Sequence, residues 1–302
     1  MLRRCLIALG AAAAFSGAAV APAAAAAPAP VAPVAKVGGI SLQYRVLGSA
    51  RRPPLLLING SGATMDTWDP ALLARLTAFR RVIVYDPRGL GGSTDAPGNL
   101  QTVAQSADDA ARLLGALHLR QADVLGWSYG AFAAQELALR HPGRVRRLVL
   151  VSADWGGPTA VQPTPANRAL DERATLNQAS LDEISSLLFP PAALPLAQAW
   201  FARLGAQPGG CCEASTPAAL QQVVAAQRRW YRGPGTRARA GRIAARTLVV
   251  AGGLDVDIPA VNDRRLARAI PGARLKVYAD AGHAVIIQHE ASVAALVRAH
   301  LG

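Results

Sequence analysis

Short runs of consecutive apolar residues recur along the chain, and longer amphipathic stretches separate them. The runs lie at residues 55–58, 82–85, 124–125, 148–151 and 248–250. Such runs are typical of strands that are buried on both faces of a parallel sheet. The stretches between them, for example 103–118 and 129–141, suit helices. This alternation predicts an α/β fold class, with a mostly parallel open sheet and helices on both faces.

The N-terminal part of the pattern is different. Ile40, Leu42, Tyr44 and Val46 alternate with their neighbours, which predicts a half-buried strand in an N-terminal hairpin. Residues 28–35, PAPVAPVA, precede it and are interpreted as a Pro/Ala linker that packs against nothing.

The alternation stops between residues 154 and 242. This segment has Pro-rich stretches at 158–165 and 189–195, helical stretches at 170–188 and 218–231, and no convincing strand. We therefore predict an α/β core over 36–153 and 243–302, and a helical cap over 154–242 that covers the carboxyl ends of the strands. The larger apolar side chains of the cap are expected to face the core and the cleft: Leu187, Leu188, Phe189, Trp200 and Phe201.

Residues 1–27 have the features of a signal peptide. Arg3 and Arg4 precede an apolar stretch over 6–20, and Ala-x-Ala triplets follow within 23–27. The interpretation is an exported protein, periplasmic or secreted, with no stable membrane span after cleavage. An uncleaved membrane anchor is the alternative.

Composition narrows the classes of partner. Hydrophobic residues make up 51% of the chain and charged residues 17%, which suits a large buried core. The net charge of +13 comes almost entirely from arginines, since Lys36 and Lys276 are the only lysines. The arginines, including those of the cap, are scattered and follow no nucleic-acid-binding motif, so we predict no nucleic-acid partner and a solvated basic surface. A monomer is the default expectation.

Cys211 and Cys212 are the two cysteines outside the signal peptide, and they are adjacent. They cannot form a disulfide framework, and no His/Cys spacing resembles a zinc site. A vicinal disulfide and two unpaired thiols both remain open.

The sequence Gly126-Trp127-Ser128-Tyr129-Gly130 lies between a predicted strand and a predicted helix. A G-x-S-x-G in that position is a nucleophile elbow, where glycines permit a tight turn that presents the serine hydroxyl. Ser128 is therefore the candidate nucleophile.

A serine nucleophile needs a base, an orienting acid and donors for an oxyanion. His283 follows a predicted strand at 273–279 and the flexible Gly282, so it is the candidate base. Asp255 follows the predicted strand 247–251 and is the candidate acid, with Asp257 as an alternative.

Two glycine-rich turns also follow strands. In the first, Asn59-Gly60-Ser61-Gly62, the backbone N–H of Ser61 is predicted to form an oxyanion hole with that of Tyr129. That role leaves the Ser61 side chain dispensable. The second turn, residues 86–93, lacks the lysine of a phosphate loop and is assigned a structural role.

These motifs together resemble the α/β-hydrolase superfamily. They are D-x-R-G-x-G-x-S at 86–93, the elbow, G-x-x-D-x-x-x-P at 252–259 and A-G-H at 281–283. The resemblance implies the order nucleophile Ser128, acid Asp255, base His283, with no metal or organic cofactor. Some related enzymes place the acid where Asp154 stands, and Asn59 replaces the histidine that the family usually has there.

The resemblance implies acyl chemistry, and the predicted function is an exported serine hydrolase of small esters or lactones. A carbon–carbon bond hydrolase, a perhydrolase or an aminopeptidase on the same scaffold remains open, because fold does not determine the reaction. The aminopeptidase is less favoured, since nothing in the cap clearly offers a carboxylate cluster for a substrate amine. A non-catalytic binding protein is disfavoured because all three triad candidates are present.

Overall fold

The computed structural model describes residues 32–96, 98–207 and 215–302. The predicted signal peptide over 1–27, together with Cys211 and Cys212, lies outside the described residues. The strands are β1 Val34–Val37, β2 Ile40–Leu47, β3 Pro54–Ile58, β4 Arg81–Tyr85, β5 Ala122–Trp127, β6 Val145–Val151, β7 Arg246–Gly252 and β8 Arg274–Tyr278. The helices are α1 Pro70–Thr77, α2 Val103–Ala116, α3 Tyr129–Arg140, α4 Pro165–Thr175, α5 Leu181–Leu188, α6 Leu194–Gly205, α7 Pro217–Arg232, α8 Val261–Ala269, α9 Val285–Gln288 and α10 Glu290–Leu301.

The strands form one eight-stranded sheet in the order β1-β2-β4-β3-β5-β6-β7-β8. The pairs β1–β2 and β2–β4 are antiparallel, and every other pair is parallel. The predicted α/β class and the N-terminal hairpin are thereby confirmed. The hairpin turns at Gly38 and Gly39, whose φ angles of 54° and 87° favour glycine.

The central strands are buried on both faces, as their uninterrupted apolar runs predict. In β3, Leu55 and Leu57 contact one core cluster, whereas Leu56 and Ile58 contact the other. The two clusters lie on opposite faces because side chains alternate along a strand. A sheet packed in this way holds the carboxyl ends of β3, β5, β6 and β7 in a fixed arrangement.

The predicted linker over 28–35 is wrong at its C-terminal end. Val34 and Ala35 already belong to β1, where they pair with Gln43 and Leu42. Ala32 and Ala35 are both buried. The small side chains that suggested a linker instead allow this strand to pack against the sheet edge.

Helices α4 to α7, which we call the cap helices, lie between β6 and β7. The structure assigns no strand to the described part of 154–242, namely 154–207 and 215–242. The single helix expected over 170–188 is two helices. The chain turns at Asn177, whose φ is 57°, and Ser180 then caps α5 in a capping box with Glu183.

The large apolar side chains of the cap point inward, as expected. Phe189 and Trp200 are buried in the same cluster as Trp127 of β5, and Leu187 is also buried. The rings of Trp200 and Trp127 are 6.4 Å apart in an edge arrangement. The cap therefore packs directly on the end of the strand that precedes Ser128.

Among the described helices, none alone has the length and apolarity to cross a membrane. Helix α5 and the segment Pro191–Gly205 together have the length and hydropathy of a membrane span, but the two are bent by 119° relative to each other.

Candidate active site

Ser128 occupies the turn between β5 and α3. Its φ of 57° and ψ of −124° are unusual for a residue with a side chain, and such strain is concentrated at functional sites. A Cβ at Gly126 would lie 2.2 Å from the Gly130 oxygen, and one at Gly130 would lie 2.0 Å from the Ile58 oxygen. Only glycine fits at these two positions, which is the physical reason for the G-x-S-x-G pattern.

His283 and Asp255 form a buried hydrogen-bonded pair. The Nδ1 atom of His283 is 2.9 Å from Oδ2 of Asp255, and the two residues are 2% and 7% exposed. The other carboxylate oxygen of Asp255 accepts the backbone N–H groups of Asp257 and Ile258 at 2.9 and 2.8 Å. These bonds fix the carboxylate so that Oδ2 faces the imidazole.

The loop of His283 is attached to the end of the elbow strand. The indole N–H of Trp127 donates to the His283 carbonyl at 3.1 Å, and the Ser152 hydroxyl donates to the same oxygen at 2.9 Å. Trp127 directly precedes Ser128 in the chain, so His283 and Ser128 share one end of the sheet.

Ser128 Oγ makes no hydrogen bond within the part of the chain that the structure describes. The His283 Nε2 atom, which would accept the serine proton, is instead 3.6 Å from Oδ2 of Asp257. Hydrogen bonds between catalytic groups are often long in ligand-free enzymes and shorten when substrate binds. The structure thus joins two of the three triad candidates directly, and the third follows Trp127, whose indole is bonded to the His283 carbonyl.

The loop after β3 lies against the nucleophile. A Cβ at Gly60 would be 3.5 Å from the Cβ of Ser128. The Asn59 amide holds this loop: its oxygen accepts the Gly60 N–H at 2.8 Å, and its nitrogen donates to Thr67 Oγ1 at 2.6 Å. Asn59 therefore orients the loop in the place where a histidine was expected from the resemblance.

Tyr129 is the first residue of α3. The N–H groups of the first helical turn have no acceptor within the helix, and they carry the positive end of the helix dipole. The Tyr129 N–H is therefore available for an anion beside Ser128. Its phenol is buried and makes a 3.2 Å hydrogen bond with the Ser106 hydroxyl.

The two alternative acids differ in position. Asp154 follows β6, and its carboxylate accepts the Gly156 N–H, the Trp230 indole N–H and the Tyr231 hydroxyl at 2.7, 3.2 and 2.9 Å. These bonds connect the end of β6 to α7. Asp257 faces the imidazole edge opposite to Asp255.

Neighbouring carboxylates set the direction in which the pKa of His283 is shifted. Burial by itself would lower the pKa of this imidazole. The carboxylates of Asp255, Asp257 and Asp171 outweigh burial and raise the pKa of His283 to about 9. These carboxylates therefore favour the imidazolium over the neutral imidazole.

Five buried or partly buried aspartates interact electrostatically with His283 or with one another, and in the described residues none forms an ion pair with an arginine or lysine. They are Asp154, Asp171, Asp255, Asp257 and Asp263. Burial raises the pKa of Asp154 to about 6. It also raises the pKa of Asp171, and it holds the pKa values of Asp257 and Asp263 well above the usual range.

Sequence reasoning missed Asp171, Asp263 and Gln227. Gln227 on α7 accepts a hydrogen bond from the Ser61 hydroxyl and donates one to Asp171 on α4. No motif marks these residues. The available signal for Asp171 is its position one turn before the buried Thr175, and that signal requires knowing which face of α4 turns inward.

The turn over 86–93 has the structural role that was predicted. Asp86 accepts the N–H groups of Met65 and Gly92 at 2.8 and 3.0 Å. Arg88 is buried and forms a bidentate pair with Asp109 at 2.8 and 2.7 Å. This turn links the sheet to α2 and to the loop that carries Met65.

A family model described as the alpha/beta hydrolase family matches residues 55–296. The 2-hydroxymuconate semialdehyde hydrolase of Pseudomonas sp. (strain CF600) is 32% identical over 262 residues, which cover 81% of this chain and 85% of that protein. A pimeloyl-(acyl-carrier protein) methyl ester esterase of Neisseria meningitidis is 32% identical over 247 residues, which cover 80% of this chain and 91% of that protein.

Solved structures are similar over the same region. A hydrolase from Pseudomonas aeruginosa PA01 has a TM-score of 0.72 and 33% identity, and the match covers 91% of this chain and 99% of that one. An enol-lactonase from Burkholderia xenovorans LB400 has a TM-score of 0.71 and 26% identity, and covers 89% and 99%.

Proposed function

Because this chain belongs to the alpha/beta hydrolase family, we propose that it is a serine hydrolase that cleaves small esters or lactones through an acyl-enzyme on Ser128. The observation that carries this proposal is the buried 2.9 Å pair of His283 and Asp255 beside the strained elbow. The esterase and the enol-lactonase among the similar proteins support ester and lactone substrates for this chain.

In the proposed reaction, Ser128 Oγ attacks the substrate carbonyl carbon and its proton passes to His283 Nε2. The Asp255 carboxylate holds the imidazole through Nδ1 and stabilises the imidazolium. The N–H groups of Ser61 and Tyr129 stabilise the oxyanion. The imidazolium then protonates the leaving alkoxide, and a water molecule activated by the same imidazole hydrolyses the acyl-enzyme.

Labelling with a fluorophosphonate tests the nucleophile. We expect one label per chain on the purified protein, with turnover of short p-nitrophenyl esters and simple lactones, and loss of both in Ser128→Ala. Ser186→Ala, which changes an exposed serine on α5, is the control and should retain both activities. A folded protein that reacts equally well after Ser128→Ala would contradict the proposal.

A second candidate is hydrolysis of an amino-acyl ester or amide. The absence of a carboxylate cluster in the cap weighed against it, but the structure brings Asp171 of α4 into the environment of His283 and Asp257. Carboxylates without an arginine partner favour a substrate ammonium group close to the scissile carbonyl.

Two methyl esters of nearly equal shape separate these candidates. Glycine methyl ester carries an ammonium group where methyl propionate carries a methyl group. If the second candidate is correct, the glycine ester is preferred at neutral pH, and Asp257→Asn reduces that preference, measured as the ratio of kcat/KM for the two esters in the same protein. A preference for the neutral ester in the unmodified protein supports the first candidate alone.

Export is a further part of the proposal, supported by the basic, apolar and Ala-x-Ala sequence over 1–27. The full chain, expressed in a bacterial host, should appear outside the cytoplasm with a new N-terminus near Ala27. Recovery of a chain that still begins at Met1 in the membrane fraction would support the uncleaved anchor instead.

A further inference from the structure

Three polar side chains form a hydrogen-bonded bridge from the oxyanion loop to the cap. The Ser61 hydroxyl donates to Gln227 Oε1 at 2.8 Å, and Gln227 Nε2 donates to Asp171 Oδ2 at 2.7 Å. Ser61 and Gln227 are 166 positions apart in the chain. We call Ser61–Gln227–Asp171 the bridge.

Both ends of the bridge lie at the candidate active site. Ser61 follows Gly60, whose Cα is close enough to Ser128 that an added Cβ would lie 3.5 Å from the serine Cβ. Asp171, at the other end, is one of the carboxylates whose charge raises the pKa of His283. The bridge therefore connects the loop after β3 to α7 and α4 of the cap at the candidate active site.

The direction of the bridge follows from the chemistry of its members. An amide side chain has one acceptor oxygen and two N–H donors, whereas an ionised carboxylate only accepts. Gln227 satisfies both neighbours when its oxygen faces the Ser61 hydroxyl and its nitrogen faces Asp171. An apolar side chain of similar length at this position would leave both neighbours without this partner.

The loop that carries Ser61 needs such a support. Glycines flank Ser61 on both sides, and Gly62 has a φ of 67°, so the backbone has few intrinsic restraints. A Cβ at Gly62 would lie 3.0 Å from the Thr175 carbonyl at the end of α4, which shows that the loop already rests on the cap. The Ser61 hydroxyl adds a directional bond to this contact.

We propose that Gln227 is a positioning residue that, through the Ser61 hydroxyl, holds the Ser61 N–H at the place where it stabilises the oxyanion. This inference rests on the proposed function, since it assigns a support to the same oxyanion hole. The Ser61 hydroxyl then positions the loop, whereas a role for the backbone N–H alone would leave the side chain dispensable. Oxyanion donors act through precise placement, so a displaced loop reduces the rate more than the binding.

The test compares Gln227→Leu, Ser61→Ala and the double variant with the unmodified protein. Each single variant should lower kcat for a short p-nitrophenyl ester by about 10- to 100-fold, less than loss of a whole oxyanion donor, with KM changed by less than about threefold. The double variant should be no worse than the poorer single one, because both changes break one linkage. Ser61→Thr, which keeps the hydroxyl, should restore most of kcat.

Arg228→Gln is the matched control. Arg228 follows Gln227 on α7 and pairs with Glu172 of α4 at 2.7 and 2.6 Å, so it joins the same two helices on their exposed side. Its loss should leave kcat unchanged. Ser61→Ala removes a single oxygen and keeps the test decisive even if Gln227→Leu does not fold.

Three results would overturn the bridge: unchanged kcat in Gln227→Leu, additive losses in the double variant, or an equal loss in Arg228→Gln. An unmodified protein that neither turns over esters nor reacts with a fluorophosphonate would instead overturn the proposed function, and the bridge with it. The two failures are distinguishable because only the second affects the unmodified protein.

Discussion

Asp123 and Asp263 are both fully buried aspartates, but of the two only Asp123 forms ion pairs with arginines in the described residues. Asp123 accepts hydrogen bonds from Arg80 Nε at 3.1 Å and Arg146 Nε at 2.8 Å. Asp263 accepts one backbone N–H, from Ala153 at 2.8 Å, and its Oδ2 has no hydrogen-bond partner in the described residues. The two aspartates represent two kinds of environment in this protein.

Away from the site, ten of the described carboxylates are paired with arginines. The aspartates and glutamates in such pairs are Asp66, Asp69, Asp95, Asp108, Asp109, Asp123, Glu136, Glu172, Glu183 and Glu290. Around His283 the pattern is the opposite, although the chain has 32 Lys and Arg residues against 19 Asp and Glu. Basic residues are abundant, so the lack of arginine or lysine partners for these described aspartates is a local property.

This difference indicates what each group of carboxylates does. An arginine partner offsets part of the desolvation penalty of a buried carboxylate, whereas an unpaired one carries that penalty in full when it is ionised. The aspartates around His283 have that penalty and favour one positive charge among them. In the proposed reaction, the imidazolium of His283 that forms when Ser128 transfers its proton is such a charge.

The largest expected effect is the difference in kcat between substitutions of the two aspartates that contact the imidazole. Asp255→Asn should lower kcat by about 10⁴-fold, because the amide no longer holds the catalytic tautomer of His283. Asp257→Asn should change kcat by less than about tenfold, since Asp257 contacts Nε2 only at 3.6 Å. Steady-state kinetics on one ester checks both variants, and the reverse ranking would identify Asp257 as the acid.

A smaller effect is expected where an arginine pair is broken. Asp123→Asn should lower the free energy of unfolding by about 3–5 kcal/mol, because it leaves the buried Arg80 guanidinium without its counter-charge. Denaturation by urea measures this loss. A change below about 1 kcal/mol would show that the Asp123–Arg80 pair contributes little to stability. The distinction between arginine-paired and unpaired aspartates would then have little energetic meaning.

The smallest effect has the opposite sign. Asp263→Asn keeps the oxygen that accepts the Ala153 N–H and removes a carboxyl whose pKa is well above its usual range. A raised carboxyl pKa favours the fold below the unfolded pKa and loses that contribution as pH rises through the folded value. The variant should therefore be more stable than the unmodified protein at pH 8.

At pH 4 the gain should disappear, since the carboxyl is then protonated in the folded protein. Thermal unfolding at the two pH values gives the comparison. Equal stability of the variant and the unmodified protein at pH 8 would contradict the assignment of Asp263 to the unpaired group.

Local signals made the fold and much of the candidate site predictable. A strand, two glycines and a helix define the elbow within a few residues, and Asp255 and His283 each follow a strand by a short loop. The predicted roles of these residues stay predictions. Their positions follow from the rule that loops at the carboxyl ends of parallel strands meet at one edge of the sheet.

The cap could not be predicted to the same depth. Whether Gln227 meets Ser61 depends on the rotation of α7 and the path of the chain between β6 and β7, and both are set by tertiary packing. The split of 170–188 into α4 and α5 depends on Asn177 and on the Ser180 cap, two residues within an otherwise helical pattern. The aspartates around His283 come from separate elements, so no single motif contains them.

The most direct test of this account is the pH dependence of inactivation by a fluorophosphonate. Only neutral imidazole accepts the Ser128 proton, and Asp255, Asp257 and Asp171 favour the charged form. The inactivation rate of the free protein should therefore rise with pH to an apparent pKa of about 9. In Asp257→Asn the rise should move to lower pH, because one of those charges is removed. A rise centred near about 6.5, the ordinary histidine pKa, and identical in both proteins would contradict the account.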